Sequence, residues 1–353
     1  MATADTVWSE RDTTPDAIEA ALRQLLVERH AENEGLVPAR ALNMVTFVEH
    51  AWTGEIANRM RGVGRYHASR LIVLSYDPRR TGMDARAMIA GEEHDDGELS
   101  PLRETVVVEI GPRHLDDLAT ITDPLVVSDM PTLLWSPHGH PEAVDALLDL
   151  SQAVLIDSVD EPDYAEALQR ACELSQRAYV VDLAWLRSTP WRERIAAAFD
   201  PPSMRRELEQ IELVEIRHHP ESTIAGMLLV GWLAARLHWR SIDRFTLLGG
   251  ELIGSGRAKR QEVAVRISAD PELQVRGLSD VQLTTASGMI VGFRRSAGGL
   301  RTHRRLRDGS ELEWTILGAS RGEGGILGEG IRQALLRDPT YLPALEAAQG
   351  MAP

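Results

Sequence analysis

The chain has 353 residues, of which 43% are hydrophobic and 26% charged, and its formal net charge is −15. That composition is globular, and the length suffices for two ordinary domains. The acidic balance argues against a nucleic-acid binder, which carries a basic face, and against an anionic membrane surface.

The acidity is uneven. Residues 1–202 hold 18 Lys and Arg against 35 Asp and Glu, whereas residues 203–353 hold 20 against 18. Lys259 is the sole lysine, so an anion contact here is almost always a planar arginine one. Cys172 is the sole cysteine, which rules out an intrachain disulfide and a cysteine-rich zinc site and fits a reducing compartment. The N-terminal residues lack a signal-peptide pattern, and the apolar run Thr223–Ala235 is too short to cross a bilayer. A cytoplasmic protein is expected.

Residues 1–14 are polar and are expected to be mobile. Thr14 as N-cap, Pro15 in the first turn and apolar Ile18, Leu22, Leu25 and Leu26 predict the first helix. Strands and helices then alternate. "ALNMVTFVE" and "SRLIVLSY" predict strands, with a helix between them ending at Gly64. The polar stretch Asp77–Pro101 reads as a long loop with one helical turn near 85–90. "ETVVVEIG", "PTLLW", "AVLIDS" and "AYVVDL" predict further strands, and "HPEAVDALLDLS" and "PDYAEALQRACELSQ" further helices. Strands that are nearly continuous apolar runs fit a mostly parallel sheet with helices on both faces. After Pro202 the texture changes to short alternating runs separated by turn residues, around the apolar helix from Thr223. An acidic α/β domain over 1–202 and an α+β domain with an antiparallel sheet over 203–353 are expected.

No motif supplies catalytic chemistry. "GGELIGSGRAKR" (249–260) has glycines beside basic residues, but no helix follows, so it reads as a flexible turn between strands rather than a phosphate loop. His138 and His140, with Glu142 nearby, are too few for a metal site. The strand-to-helix turns lack the glycine fingerprint of a dinucleotide site, so no cofactor is expected. Asp157 and Asp182 end strands, where open α/β sheets bind ligands. They could hold a polar ligand in a crevice, or equally cap loops or pair with arginines.

The segment "DLAWLRSTPWRERIAAAFDPP" (182–202) stands out. Ser188 or Thr189 can cap a helix with Pro190 in its first turn. Trp191, Ile195, Ala198 and Phe199 then share one apolar face, while Arg192 points more nearly outward. Trp185 precedes the cap in a connection, and Trp135 ends another strand. With Arg187 and Arg192 they have the composition of a protein–protein hot spot, although burial of Trp185 under a neighbouring loop fits as well.

These residues carry a resemblance. "VSDMPTLLWSP", "VLIDS", the tryptophan segment itself and the C-terminal "RDPTYLPALEAA" resemble the OpcA family of glucose-6-phosphate dehydrogenase assembly proteins, from about Leu42 to Ala348. The resemblance implies a non-enzymatic partner that binds that dehydrogenase, promotes its active oligomer and raises its activity. That would serve the oxidative pentose phosphate pathway and NADPH supply. Trp135, Trp185, Arg187 and Arg192 are the candidate anchors on loops at one edge of the α/β domain. The competing expectation is a sugar-phosphate or nucleotide-binding sensor or enzyme that uses the crevice at Asp157 and Asp182. The thiol–disulfide switch that the resemblance brings for some cyanobacterial members has no intrachain counterpart with Cys172 alone.

Overall fold

The structure, a computed structural model, describes residues 6–32, 36–38, 40–63, 69–90, 100–259, 261–317 and 322–353. The chain forms two compact units. One comprises Met1–Ile156, Arg177–Val181 and Leu327–Leu336, the other Asp157–Gln176, Asp182–Ile326 and Arg337–Pro353.

In the first unit the strands are β1 (Thr6–Glu10), β2 (Leu36–Pro38), β3 (Leu42–Glu49), β4 (Ser69–Tyr76), β5 (Asp84–Ala90), β6 (Ser100–Ile110), β7 (Thr132–Trp135), β8 (Ala153–Ile156) and β9 (Tyr179–Asp182). The helices are α1 (Pro15–Glu32), α2 (Thr53–Val63), α3 (Leu118–Thr122) and α4 (Pro141–Leu147). The sheet order is β1-β5-β6-β4-β3-β7-β8-β9, with β2 on β6. Strands β3, β4, β6, β7 and β8 pair in parallel, while β5 runs antiparallel to both β6 and β1. Every residue of β3 from Leu42 to Val48 is buried, which fits its largely apolar sequence, broken only by Asn43 and Thr46. The cap of α1 forms as expected, the amide of Ala17 donating to Thr14 Oγ1 at 3.3 Å.

Two expectations for this unit are corrected. Residues 84–90 form β5 and not a loop with a helical turn, and residues 6–10, within the stretch expected to be mobile, form the edge strand β1. β5 is a half-buried ribbon, and none of residues 7–10 of β1 is buried. In β5 only Ala85, Ala87 and Ile89 turn inward, and small alanines weaken the alternation that marks a strand. Gly64, expected to end α2, lies outside the described residues.

Beneath α1 lies a buried ion network. Arg70 Nε donates to Glu104 Oε2 at 2.8 Å, and its Nη1 reaches Glu19 Oε2 and the carbonyl of Leu125, both at 2.9 Å. Arg40 donates to the other oxygen of Glu104.

In the second unit the helices are α5 (Tyr164–Ser175), α6 (Leu183–Arg187), α7 (Thr189–Phe199), α8 (Arg205–Leu208), α9 (Thr223–Arg236), α10 (Gly322–Leu336, its start to Ile326 in this unit) and α11 (Tyr341–Met351). The strands are β10 (Ile211–His218), β11 (Ser241–Ile242), β12 (Thr246–Leu248), β13 (Glu251–Arg257), β14 (Glu262–Ala269), β15 (Leu278–Thr285), β16 (Ile290–Ser296), β17 (Gly299–Arg305) and β18 (Glu311–Leu317). They form a second sheet in the order β11-β13-β14-β10-β15-β16-β17-β18, with β12 on β13. Among the described residues its strands pair antiparallel except β10 with β14. Val263, Val265, Val281, Leu283, Val291 and Phe293 line its buried face, and the apolar helix α9 packs on β10 and β14.

The glycine-rich stretch 249–260 is also corrected. Only Gly249 and Gly250 turn, with φ of +62° and +86°, and Glu251–Arg257 is strand β13. Gly254 and Gly256 give room to aromatic rings: a Cβ would come within 2.0 Å of Phe245 at the first and 2.4 Å of Trp239 at the second. These glycines serve packing and not phosphate.

Removing Glu104 takes away the most buried carboxylate of the network and leaves the buried Arg70 with Glu19 alone. Glu104→Ala is expected to cost about 3–5 kcal/mol in urea denaturation, the range for breaking one half of a buried ion pair. A loss below about 1 kcal/mol, typical of an exposed pair, would contradict that reading.

Candidate functional site

The tryptophan segment folds around Asp182. Its carboxylate is completely buried yet fully bonded. Oδ1 accepts from the amides of Ser158, at 3.2 Å, and Ala184, at 2.9 Å. Oδ2 accepts from Ser158 Oγ at 2.7 Å and from the Tyr341 hydroxyl at 3.1 Å. The Ala184 bond caps α6, so Trp185 sits inside a short helix and not in a connection before one.

Trp185 is only 2% exposed. Its ring lies 5.5 Å from that of Tyr341, and its Nε1 donates to Asp338 Oδ2 at 2.9 Å. The Arg192 guanidinium stacks over the Trp185 ring, 3.4 Å from its centroid, and donates to the Trp185 carbonyl and to Thr189 Oγ1. Burial lowers Arg192 to about 10, against the pull of Asp338. Burial alone would raise Asp338, but hydrogen bonds from Thr340 and Trp185 outweigh it and hold the carboxyl low.

Beside this cluster Arg187 makes a double fork. Nη1 and Nη2 grip Asp157 at 2.8 and 2.7 Å, while Nε and Nη2 reach Glu323 at 3.1 and 2.7 Å. Burial opposes the charge on Arg187, and the two carboxylates outweigh it and keep the guanidinium protonated. Arg276 bonds Asp160 at 2.5 Å and lies 4.0 Å from Asp157. A nearby cleft of about 320 Å³ is lined by Asp160, Tyr164, Glu221, Thr223 and Arg276.

The expected anchors are therefore corrected. Trp185, Arg187 and Arg192 are buried parts of an internal network, and Trp135 is 4% exposed within β7. Their rings and charges are spent on neighbours that the sequence does not place beside them. Ser188 holds the N-cap position of α7 as expected but makes no side-chain cap bond; its hydroxyl donates to the Trp185 carbonyl at 2.7 Å. Trp191, Ile195, Ala198 and Phe199 are buried as expected. Asp157 and Asp182 take the alternative of an arginine pair and a loop cap. Cys172 is half-buried on α5, and burial pushes its thiol up to about 11, away from reactivity at neutral pH.

In the first unit, exposed aromatic groups stand at the carboxyl ends of β3 and β7. From β3 the chain builds β4 and β6 on one side, then returns to place β7 on the other. Such a switch point is where open α/β sheets bind ligands. Trp52, 44% exposed, lies in the 3-10 turn after β3, and its ring is 5.2 Å from that of exposed His138 after β7. His138, Gly139 and His140 are all left-handed, with φ of +70°, +99° and +65°. For the histidines this costs roughly 1–3 kcal/mol each, strain that clusters at functional sites. Ser136 Oγ donates to the Gly139 and Phe47 carbonyls, and the His140 ring packs edge-on against Phe47 at 5.1 Å, which fixes the loop. Sequence reasoning weighed these histidines as metal ligands or as part of a loop capping the helix at Pro141, and the turn after β3, "HAWTGE", for its missing glycines. The signal it passed over was an indole and an imidazole at the ends of two strands.

Two family models match the chain. The glucose-6-phosphate dehydrogenase subunit N-terminal domain matches residues 61–173, and the corresponding C-terminal domain matches residues 178–345. The chain belongs to the OpcA family. Curated relatives carry the name OxPP cycle protein OpcA. The protein of Synechococcus elongatus is 27% identical over 153 residues, covering 42% of this chain and 34% of that one. The OpcA of Nostoc punctiforme is 28% identical over 133 residues, covering 36% and 29%. The matches thus span about a third of these OpcA proteins. Among solved structures, the WlbA (WbpB) dehydrogenase of Thermus thermophilus in complex with NAD and alpha-ketoglutarate aligns at 16% identity. It covers 88% of this chain and 94% of its own, with a TM-score of 0.45, and nothing is carried over from it.

Burial raises Asp182 to about 6, with the charge of Asp157 adding to the effect. A carboxyl whose folded pKa lies above its unfolded value of 3.8 favours the protonated folded state. Its contribution is complete below that unfolded value and is lost as pH rises through about 6. Asp182→Asn is therefore expected to flatten the fall in unfolding free energy between about pH 4 and 6, a slope of at most about 1.4 kcal/mol per pH unit. An unchanged slope in paired denaturation curves would show that Asp182 titrates normally.

Proposed function

We propose that the chain is a non-enzymatic partner of glucose-6-phosphate dehydrogenase that favours the enzyme's active oligomer and raises its activity in the oxidative pentose phosphate route. The observation that carries the reading is the pair of dehydrogenase-subunit domains matched between residues 61 and 345. A partner acts this way only through differential affinity. Binding the active state tenfold more tightly shifts the equilibrium by about 1.4 kcal/mol.

The contact surface in this reading remains the strand-end loops of the α/β unit, with different anchors from those expected. Trp52 and His138 replace Trp135 and Trp185, because an exposed indole on a fixed loop can be desolvated by a partner and a buried one cannot. Arg187 and Arg192 become internal supports of the second unit. The sugar-phosphate reading gains no support from Asp157 and Asp182, whose oxygens are bonded internally.

Titrating the purified chain into its cognate dehydrogenase, with KM, kcat and oligomer size recorded, tests the reading. Wild type is expected to enlarge the oligomer and raise kcat/KM. Trp52→Ala is expected to weaken the interaction by about 30-fold, the loss of a hot spot near 2 kcal/mol, while keeping its stability. Trp185→Phe is expected to lose stability but keep activation once folded. Absence of both binding and kinetic change with the wild-type chain would overturn the proposal.

A further inference from the structure

The second sheet ends on an edge unlike its interior. Among the described residues β18 pairs only with β17, from Gly299↔Leu317 to Arg305↔Glu311. Leu312, Trp314 and Ile316 stand opposite Arg304, Thr302 and Leu300, so they continue the face on which Leu300 and Thr302 are buried. On β18 that row is uncovered: Leu312 is 52% and Trp314 38% exposed. On the opposite face Leu317 is 76% exposed. An edge of this kind is ordinarily blunted by lysine, proline or a bulge, and β18 has no lysine or proline and keeps an unshifted register with β17. Its two carboxylates are already answered by β17, Glu313 by Arg301 at 3.3 Å and Glu311 by His303 at 3.7 Å.

The strand reads Glu-Leu-Glu-Trp-Thr-Ile-Leu, and its order fits a second copy of itself. In an antiparallel two-fold pairing centred on Trp314, Trp314 faces its own copy. Leu312 then faces Ile316, Glu313 faces Thr315, and Glu311 faces Leu317. All seven residues pair, and no like charges stand directly opposite. Centring on Glu313 sets that carboxylate against itself, and centring on Leu312 sets Glu311 against Glu313. Centring on Thr315 leaves Glu311 and Leu312 unpaired.

We infer that β18 is a self-pairing edge, through which two copies of this chain join their second-unit sheets into one continuous sheet about a two-fold axis at Trp314. The unpaired backbone groups of each edge satisfy those of the other. The apolar rows merge into one strip, with aromatic and aliphatic cross-strand pairs at its centre. The geometry is isologous, so it closes at two copies and does not propagate into a fibre. This inference does not rest on the dehydrogenase reading.

The test uses the full chain alone, in light scattering and sedimentation over a concentration series. Wild type is expected to double its mass as concentration rises. Trp314→Lys and Trp314→Glu each place like charges at the axis and are expected to weaken dimerisation by at least 100-fold with an unchanged far-UV spectrum. An equimolar mixture of the two sets opposite charges at the axis and is expected to regain the doubled mass, which separates lost pairing from lost folding. A wild-type chain that stays monomeric throughout overturns the inference, including where it pairs through β18 only with the dehydrogenase. So do variants that dimerise as wild type does, and a mixture that stays monomeric.

Discussion

A carboxylate removed from water must have its lone pairs filled, and the arrangement of the tryptophan segment follows from that constraint at Asp182. Two amides, a serine hydroxyl and a tyrosine hydroxyl converge on it. To supply them the chain brings the turn at Ser158, the first turn of α6 and the first residue of α11 to one point. Once they meet, Trp185 has no exit. Its ring contacts both Tyr341 and Arg192 and its N–H is taken by Asp338. Arg187, at the other end of α6, is fixed by Asp157 and Glu323. A fully satisfied polar cluster specifies one arrangement, and removing one member leaves the others buried and unpaired.

This division of labour separates the residues that mark the family from those that can meet a partner. The tryptophan segment is conspicuous in sequence because it is demanding to build, and its side chains are consumed in building it. The strand-end loops of the first unit are plainer in sequence, yet they hold an indole outward on a 3-10 turn and an imidazole outward on left-handed backbone. In the second unit the edge strand β18 leaves its apolar row uncovered while its neighbours bury theirs. Exposure joined to a fixed backbone is what recognition needs, since little ordering cost remains at binding.

The long apolar strands, the switch from a parallel to an antiparallel sheet, the cap at Thr14 and the buried face of α7 were legible, because each depends on a period or a cap within a few residues. The strands β1 and β5 were not. β5 buries one face only, with alanines carrying much of it, and none of residues 7–10 of β1 is buried. The fate of Trp185 and Arg192 was hidden for another reason. Asp338 lies 153 residues from Trp185 and Tyr341 lies 159 from Asp182, and no local pattern announces such partners. Gly254 and Gly256 suggested a turn, while the aromatic rings that require them lie elsewhere in the sequence.

The central claim is that the strand-end loops of the first unit meet the dehydrogenase while the tryptophan segment stays internal. Hydrogen exchange of the chain, free and saturated with the dehydrogenase, tests it most directly. The account predicts slowed exchange over residues 49–54 and 136–141 in the complex, with residues 183–199 unchanged. New protection confined to 183–199, with the strand-end loops exchanging as in the free chain, would contradict it.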